Sequence, residues 1–503
     1  MKSWHGQAAL AAGVIVTAIT ITGGCNVVST GVIGDITDDF LVTGRTASFF
    51  RAIQVDPRSE DSAGPQFVAS ADLNGDGLMD LVSAWNQSQP VQIHLQRRSA
   101  IGVVSFENAI LAGGVPVVSV AGLEVADFDQ DGVMDVAVLV KQSLLSGPGC
   151  LNSDAAPEGL SGAILVYFGP ADTDQTAQAL AWEEVLVGTS FLQGTGLATL
   201  GAEFSGFTAM VTGDMDNDGD TDIVAAWNSG CGEGALDAVV FTNNGPGPSR
   251  DGTWTAAAIP DSLPRGTHIK SVAVGDVDND GDLDVVATFP DAPTSNVRWY
   301  RNPAVDTPDD VHISDGKWQT GTIGHIATGA DIVKLGDIDG DDILDAAVRS
   351  SLGLVIQWFK GPADPTTAPV RAVPWQVFTL AEYTERVPES IALGDLNGDG
   401  QLELIAAAEG GLTWFNSQTA PSLYDQWREN TIIDDRRVED EDSAPATTDP
   451  NVTGEEVGDT TIMNTLLVTD LDGDGQNDLI VTLDRVGLSG LTNDALVWFR
   501  NTR

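Results

Sequence analysis

The sequence predicts an all-β protein, a seven-bladed β-propeller of four-stranded antiparallel blades closed by an N-terminal strand that completes the last blade. Three observations predict it. One acidic loop pattern occurs seven times. The first residues of successive loops are 55, 87, 62, 61, 58 and 75 positions apart. The mean, near 66, fits one four-stranded blade with loops of varying length and is too long for a solenoid of short turns. Aromatic residues mark the same strand positions in most repeats.

The loop pattern places oxygen-bearing side chains at positions 1, 3, 5 and 9 and Gly at 6. The copies are Asp72, Asn74, Asp76, Asp80; Asp127, Asp129, Asp131, Asp135; and Asp214, Asp216, Asp218, Asp222. They continue with Asp276, Asp278, Asp280, Asp284; Asp337, Asp339, Asp341, Asp345; Asp395, Asn397, Asp399, Glu403; and Asp470, Asp472, Asp474, Asp478. The fifth copy has Asp342 where the others have Gly.

Alternate residues in a tight turn can aim their side chains at one centre, and Gly at 6 permits the positive φ such a turn needs. The side chain at 9 closes the cage, and a backbone carbonyl near 7 can add an oxygen. Hard oxygen ligands in a flexible loop suit Ca²⁺ better than Mg²⁺ or a transition metal. Two carboxylates about 4 Å apart repel by roughly 4 kcal/mol at an effective dielectric near 20, so a divalent cation resolves the conflict. Asp/Gly-rich turns also occur without metal, but seven copies in one register point to a common ligand role. Up to seven structural Ca²⁺ ions are expected. EF-hands are excluded, because the twelfth position, where they need a bidentate Glu, holds Ser83, Val138, Ala225, Ala287, Val348, Ala406 and Val481.

The remaining elements follow in order within each repeat. An aromatic residue opens a strand upstream of the loop at Trp182, Trp254, Trp318, Trp375 and Trp427, with Phe50 and Phe106 as equivalents. An apolar strand such as Ser271–Gly275 leads into the loop, and a Val/Ile-rich strand leaves it. A third strand ends in an aromatic pair, as at Trp299-Tyr300, Trp358-Phe359, Trp414-Phe415 and Trp498-Phe499. Their recurrence at one position favours packing between blades over a carbohydrate-stacking platform. The last repeat ends at its third strand, so the segment around Ser48–Val55 is expected to complete that blade and remove an exposed edge.

Residues 1–24 read as an export signal, with Lys2 before an apolar run from Ala8 to Ile21 that is short for a membrane span. Gly23-Gly24-Cys25 resembles a lipobox, with Thr22 where Leu is usual, so Cys25 is expected to carry lipid. A plain signal peptide with a free thiol is the alternative. Residues 25–45 read as a tether and 46–503 as the propeller. Insertions at 141–162 and 228–235 hold Cys150 and Cys231 at matching places in adjacent repeats, and an oxidising compartment makes a Cys150–Cys231 disulfide plausible. Residues 434–460 form an acidic, low-complexity insertion.

The formal charge is −49, which seven divalent ions would offset only in part. That excludes a nucleic-acid binder, which needs a basic face, and argues against docking on anionic lipid. Membrane association is expected only through Cys25.

The loops and their strands resemble the FG-GAP/VCBS-like repeat family across roughly residues 46–503. The resemblance implies a seven-bladed propeller with calcium held by the loop residues named above. The Phe-Gly and Gly-Ala-Pro signature behind the family's name is absent, and Phe168-Gly169-Pro170 is an echo of it.

His94, His268, His312 and His325 form no ligand-spaced pair, and the sequence has no Gly-x-Ser-x-Gly element and no phosphate-cradling loop. Paired carboxylates for glycoside hydrolysis cannot be singled out from so acidic a background. The leading reading is an exported, monomeric, non-enzymatic module binding a protein or glycan, in the cell envelope or outside the cell. The alternatives are a polysaccharide-processing enzyme, which would need a basic cleft, and a structural envelope component.

Overall fold

The computed structural model describes residues 29–31, 50–56, 64–85, 91–100, 102–111, 120–141, 162–178, 181–189, 207–227, 236–260, 267–303, 313, 317–363, 375–384, 386–408, 411–417, 427–434, 460–486 and 495–503. Strands make up nearly all of it, arranged as seven antiparallel sheets. In order from the centre outward, the first blade holds Pro65–Ala71, Asp80–Trp85, Val91–Arg98 and Val104–Ile110. The second holds Val120–Ala126, Asp135–Lys141, Gly162–Phe168 and Glu183–Thr189. The third holds Phe207–Gly213, Asp222–Trp227, Leu236–Thr242 and Thr255–Pro260, with the five-residue helix Pro246–Arg250 before its outer strand. The fourth holds Ser271–Gly275, Asp284–Thr288, Val297–Arg301 and Gln319–Gly324. The fifth holds Ile332–Gly336, Asp345–Ser350, Val355–Lys360 and Gln376–Glu382. The sixth holds Pro388–Gly394, Glu403–Ala408, Gly411–Ser417 and Trp427–Asp434.

The seventh blade shows how the ring closes. Thr460–Thr469, Asp478–Val486 and Ala495–Asn501 come from the end of the chain, and Phe50–Gln54 supplies the outer strand. The register runs from Phe50 opposite Asn501 to Gln54 opposite Val497. The expected closure is therefore present, and the third strand of the last blade is covered on both sides. Within the segment expected as a tether, Ser29–Gly31 pair with Phe106–Asn108 as a fifth strand of the first blade.

The second strands are buried along their length, as in Asp80–Trp85, Asp345–Ser350 and Glu403–Ala408. Such strands read as continuous apolar runs because both faces meet a neighbouring blade. Each of the seven apolar clusters straddles two blades. One joins Val68, Leu81 and Phe106 of the first blade to Ile53, Ile480, Leu496 and Trp498 of the seventh. The aromatic residues belong to these interfaces. Trp299, Trp358 and Trp498 are fully buried, and Trp182, Trp318, Trp375 and Trp427 are nearly so. They pack between blades and offer no open stacking platform.

Every acidic loop joins an inner strand to the second strand of its blade, so all seven lie at one end of the ring. The insertions of the second and third blades leave from second strands and return into third strands. Cys25, Cys150 and Cys231 lie outside the described residues, as does most of the acidic insertion. Among the described residues no helix is long and apolar enough to cross a membrane.

Candidate metal centres

The loop backbone is wound around its own carboxylates. In the fourth loop, Asp276 accepts the amide of Asp280 at 3.0 Å on Oδ1 and that of Gly281 at 3.0 Å on Oδ2. Asp280 Oδ1 accepts the amide of Asp282 at 3.3 Å. Asp284 accepts Val277 N–H at 3.1 Å on Oδ2 and Asn302 N–H at 2.8 Å on Oδ1. Position 1 thus fixes the turn, and position 9 ties the loop to the third strand. The other loops repeat the position 1 contacts, as Asp72, Asp127, Asp214, Asp337, Asp395 and Asp470 show. Position 9 tethers the third strand in six loops, through Asp80, Asp135, Asp222, Asp284, Asp345 and Asp478. Glu403, one methylene longer, instead points its second oxygen at Asn397 Nδ2.

Two backbone positions per loop take a positive φ. Position 6 does, with Asp342 at 64° standing in for Gly in the fifth loop. The amide of Asp342 still reaches Asp337 Oδ2 at 2.8 Å, so that loop keeps the common shape. Position 4 does too, through Gly75, Gln130, Asn217, Asn279, Gly340, Gly398 and Gly473. Position 2 anchors each loop from below: Leu73, Phe128, Met215, Val277, Ile338, Leu396 and Leu471 are all buried. Neither the position 4 geometry nor the position 2 anchor was used in reading the sequence. The apolar residue at position 2 was the available signal.

This scaffold brings the expected side chains together. Carboxylate oxygens of Asp127, Asp129 and Asp135 lie within 4.8 Å of one another. The same holds for Asp214, Asp216 and Asp218, for Asp276, Asp278 and Asp284, and for Asp337, Asp339 and Asp345. These clusters could hold metal ions. The donors are hard oxygens, as Ca²⁺ prefers. In three loops the position 3 carboxylate also has a buried oxygen with no hydrogen-bond partner: Oδ1 of Asp216, Asp339 and Asp472. A buried anionic oxygen left unpaired is costly, and a cation among the clustered acids would satisfy it.

Electrostatics agrees with the geometry. Burial pushes the position 9 acids up, to about 7 for Asp80, Asp345, Glu403 and Asp478 and to about 8 for Asp135, Asp222 and Asp284. Backbone N–H bonds pull the other way, and the neighbouring loop acids add to the rise. A bound divalent cation would return these groups to full ionisation.

A cavity of about 160 Å³ lies between the seventh loop and the first blade, lined by Arg98, Gly102, Val104, Asp472, Gly473, Asp474 and Arg500. Its two arginines face loop acids and the Asp472 carbonyl, so it does not form the basic cleft an acidic polysaccharide would need.

Residues 59–138 and 214–287 match the FG-GAP-like repeat family. The chain is a seven-bladed β-propeller, and these two segments of it are similar to FG-GAP-like repeats. No curated protein matches it. Among solved structures, BBS1N in complex with ARL6DN, soaked with lead, is 12% identical with a TM-score of 0.46, covering 91% of this chain and 99% of that one. The mercury-soaked crystal gives 14% and 0.47, covering 92% and 97%. A protein from Lactobacillus plantarum gives 13% and 0.44, covering 82% and 96%.

Proposed function

We propose that this protein is an exported, calcium-rigidified, non-enzymatic propeller that binds a protein or glycan, held at the cell surface by lipid on Cys25. The observation that carries the calcium reading is the pair of buried oxygens on Asp216 and Asp339 that have no hydrogen-bond partner and belong to clustered acids. Positions 1, 3, 5 and 9 of each loop hold the ion, helped by the backbone near position 7. The ion supplies positive charge to a cluster that burial and mutual repulsion would otherwise strain. Its role is structural: it fixes seven loops at one end of a rigid ring and so presents that end to a partner. Preorganised surfaces bind with less ordering cost.

Separate measurements test each part of this. Chelation with EDTA should lower the melting temperature of the mature protein sharply, and an unchanged melt would remove the structural ion. A glycan array and cross-linking at the cell surface should give a saturable ligand without turnover. Depolymerisation of any polysaccharide by the purified chain would replace the binder reading with the enzymatic one. Mass spectrometry of the mature N-terminus should find a diacylglyceryl-modified Cys25, and cleavage elsewhere would refute the anchor.

A further inference from the structure

The seven loops are not electrostatically equivalent. Lys360, at the end of the third strand of the fifth blade, contacts Asp339 Oδ2, and its Nζ lies 2.6 Å from Asp341 Oδ2. Arg301 holds the same place in the fourth blade, 2.5 Å from Asp278 Oδ2 and 2.5 Å from Asp280 Oδ2. Arg500 does so in the seventh, 2.5 Å from Asp472 Oδ2 and 3.4 Å from Asp474 Oδ2. The residue that follows each of the three donates its amide to the position 9 carboxylate, which fixes the shared register.

In the second blade that register position is Phe168, followed by Gly169. A cation reaches the same spot by another route. Arg250, from the short helix of the third blade, lies over the Phe168 ring at 4.9 Å. It contacts Asp129 Oδ2 and lies 3.1 Å from Asp131 Oδ2. In the first blade Arg97 reaches position 5 alone, 3.3 Å from Asp76 Oδ2. The third blade has Thr242 at this position, followed by Asn243. Among the described residues no Lys or Arg contacts Asp214, Asp216 or Asp218.

We infer that Lys360, Arg301, Arg500 and Arg250 are built-in counter-cations that compete with the divalent ion for the position 3 and 5 carboxylates. The third loop, which keeps all four loop carboxylates and has no such cation, is then the tightest site; the sixth has Asn416 at that position, but Asn397 leaves it only three carboxylates. This rests on the calcium reading above. The cations hold one oxygen of each pair, while the other, such as Oδ1 of Asp472, whose side chain is 2% exposed, is buried without a hydrogen-bond partner. A monovalent side chain relieves part of the repulsion among the acids before metal arrives. It then repels the ion once bound. Both effects weaken metal binding at the bridged loops, and both are missing at the third. The bridged loops therefore keep their shape at low calcium, while the third depends on the ion.

The test uses the full mature chain, stripped with EDTA, desalted and titrated calorimetrically with CaCl₂. Lys360→Met and Arg500→Met should each move one ion from the weak to the tight class, an increase of about tenfold in affinity. Each should also lower the melting temperature of the stripped protein and enlarge its rise on adding Ca²⁺. Thr242→Lys is the converse: it should weaken the tightest class about tenfold and raise the melting temperature of the stripped protein. If Lys360→Met and Arg500→Met leave the titration and the stripped melt unchanged, or if Thr242→Lys spares the tightest class, the competition is refuted. Calcium binding itself would stand. A wild-type chain that takes up no Ca²⁺ would overturn both readings.

Discussion

The side-chain amide of Gln96 donates to the carbonyl of Leu471 across 2.7 Å, joining the first blade to the loop of the last. The same amide reaches the carbonyl of Met79 in its own loop at 2.7 Å. This clamp recurs around the ring. Asn243 reaches Phe128 O at 2.6 Å, Asn302 reaches Met215 O at 2.6 Å, and Asn501 reaches Leu396 O at 2.9 Å. In each case a third-strand amide caps the position 2 carbonyl of the preceding blade. The acidic loops and the blade interfaces are therefore one mechanical unit, and ordering a loop orders the seam beside it.

Gln96→Leu should break the clamp at the closure. It leaves two buried carbonyls without their donor, which costs about 1–3 kcal/mol. Urea unfolding of the wild type and the variant measures it. A loss below about 0.5 kcal/mol would mean that the closure is held by the strand pairing and core alone.

Gly275 tests the fit between blades. A Cβ there would lie 2.7 Å from Leu344 Cδ1 and 3.3 Å from Leu335 Cδ1. Leu344 occupies position 8 of the next loop, and Gly213 meets Leu283 and Gly336 meets Leu402 in the same way. Gly275→Val should cost about 1–3 kcal/mol by overpacking, and Gly275→Val with Leu344→Ala should recover part of it. A double variant no more stable than Gly275→Val would separate the two residues.

Much of this was legible in the sequence, for a physical reason. Positions 1, 3, 5 and 9 must each present an oxygen, so residue type reports the role directly, and repetition removes the ambiguity of any one copy. The closure was legible because a repeat lacking its last strand leaves an edge that Phe50–Gln54 can fill. The clamp was not legible, because its position holds Gln96, Asn243, Asn302 and Asn501 in four blades but Gly169 and Gly361, which have no side-chain amide, in two others. What those six share is the backbone N–H bond to the position 9 acid, which any residue can make. Arg250 was hidden because it acts on Asp129 from 121 residues away, through the five-residue helix of the third blade.

Arg51 lies in the closing strand opposite Arg500, and the alternation set by the Val55 N–H bond to Leu496 O at 2.9 Å turns its amide toward the third strand. Arg51→Pro removes that donor and should weaken the closure by about 1–3 kcal/mol. The exposed edge of the third strand should then promote association. Light scattering at rising protein concentration checks this. A variant that stays monomeric with an unchanged melt would show that Phe50–Gln54 is dispensable.

His94 gives the fold an acid-sensitive point at the same seam. It is fully buried, 2.7 Å from Ser83 Oγ through Nε2 and 2.9 Å from Asn108 Oδ1 through Nδ1. Asn108 Nδ2 in turn donates to Asp56 Oδ1 at 2.7 Å, just beyond the closing strand. Burial lowers the imidazole from its ordinary 6.5 to about 4, against a smaller rise from Asn108. The unfolded chain therefore takes up this proton first as pH falls. The stability His94 contributes is complete above about 6.5 and is lost as pH drops to about 4, a change of about 3 kcal/mol. Asp56 works the other way, since burial raises it from 3.8 to about 7 and folding then favours its protonated form below that pH. The net slope of the wild type mixes the two, so the readout is the comparison with His94→Gln. Between pH 7 and 4.5 the wild type should lose more unfolding free energy than the variant does. Parallel pH profiles would show that the imidazole is protonated in the fold as readily as in water.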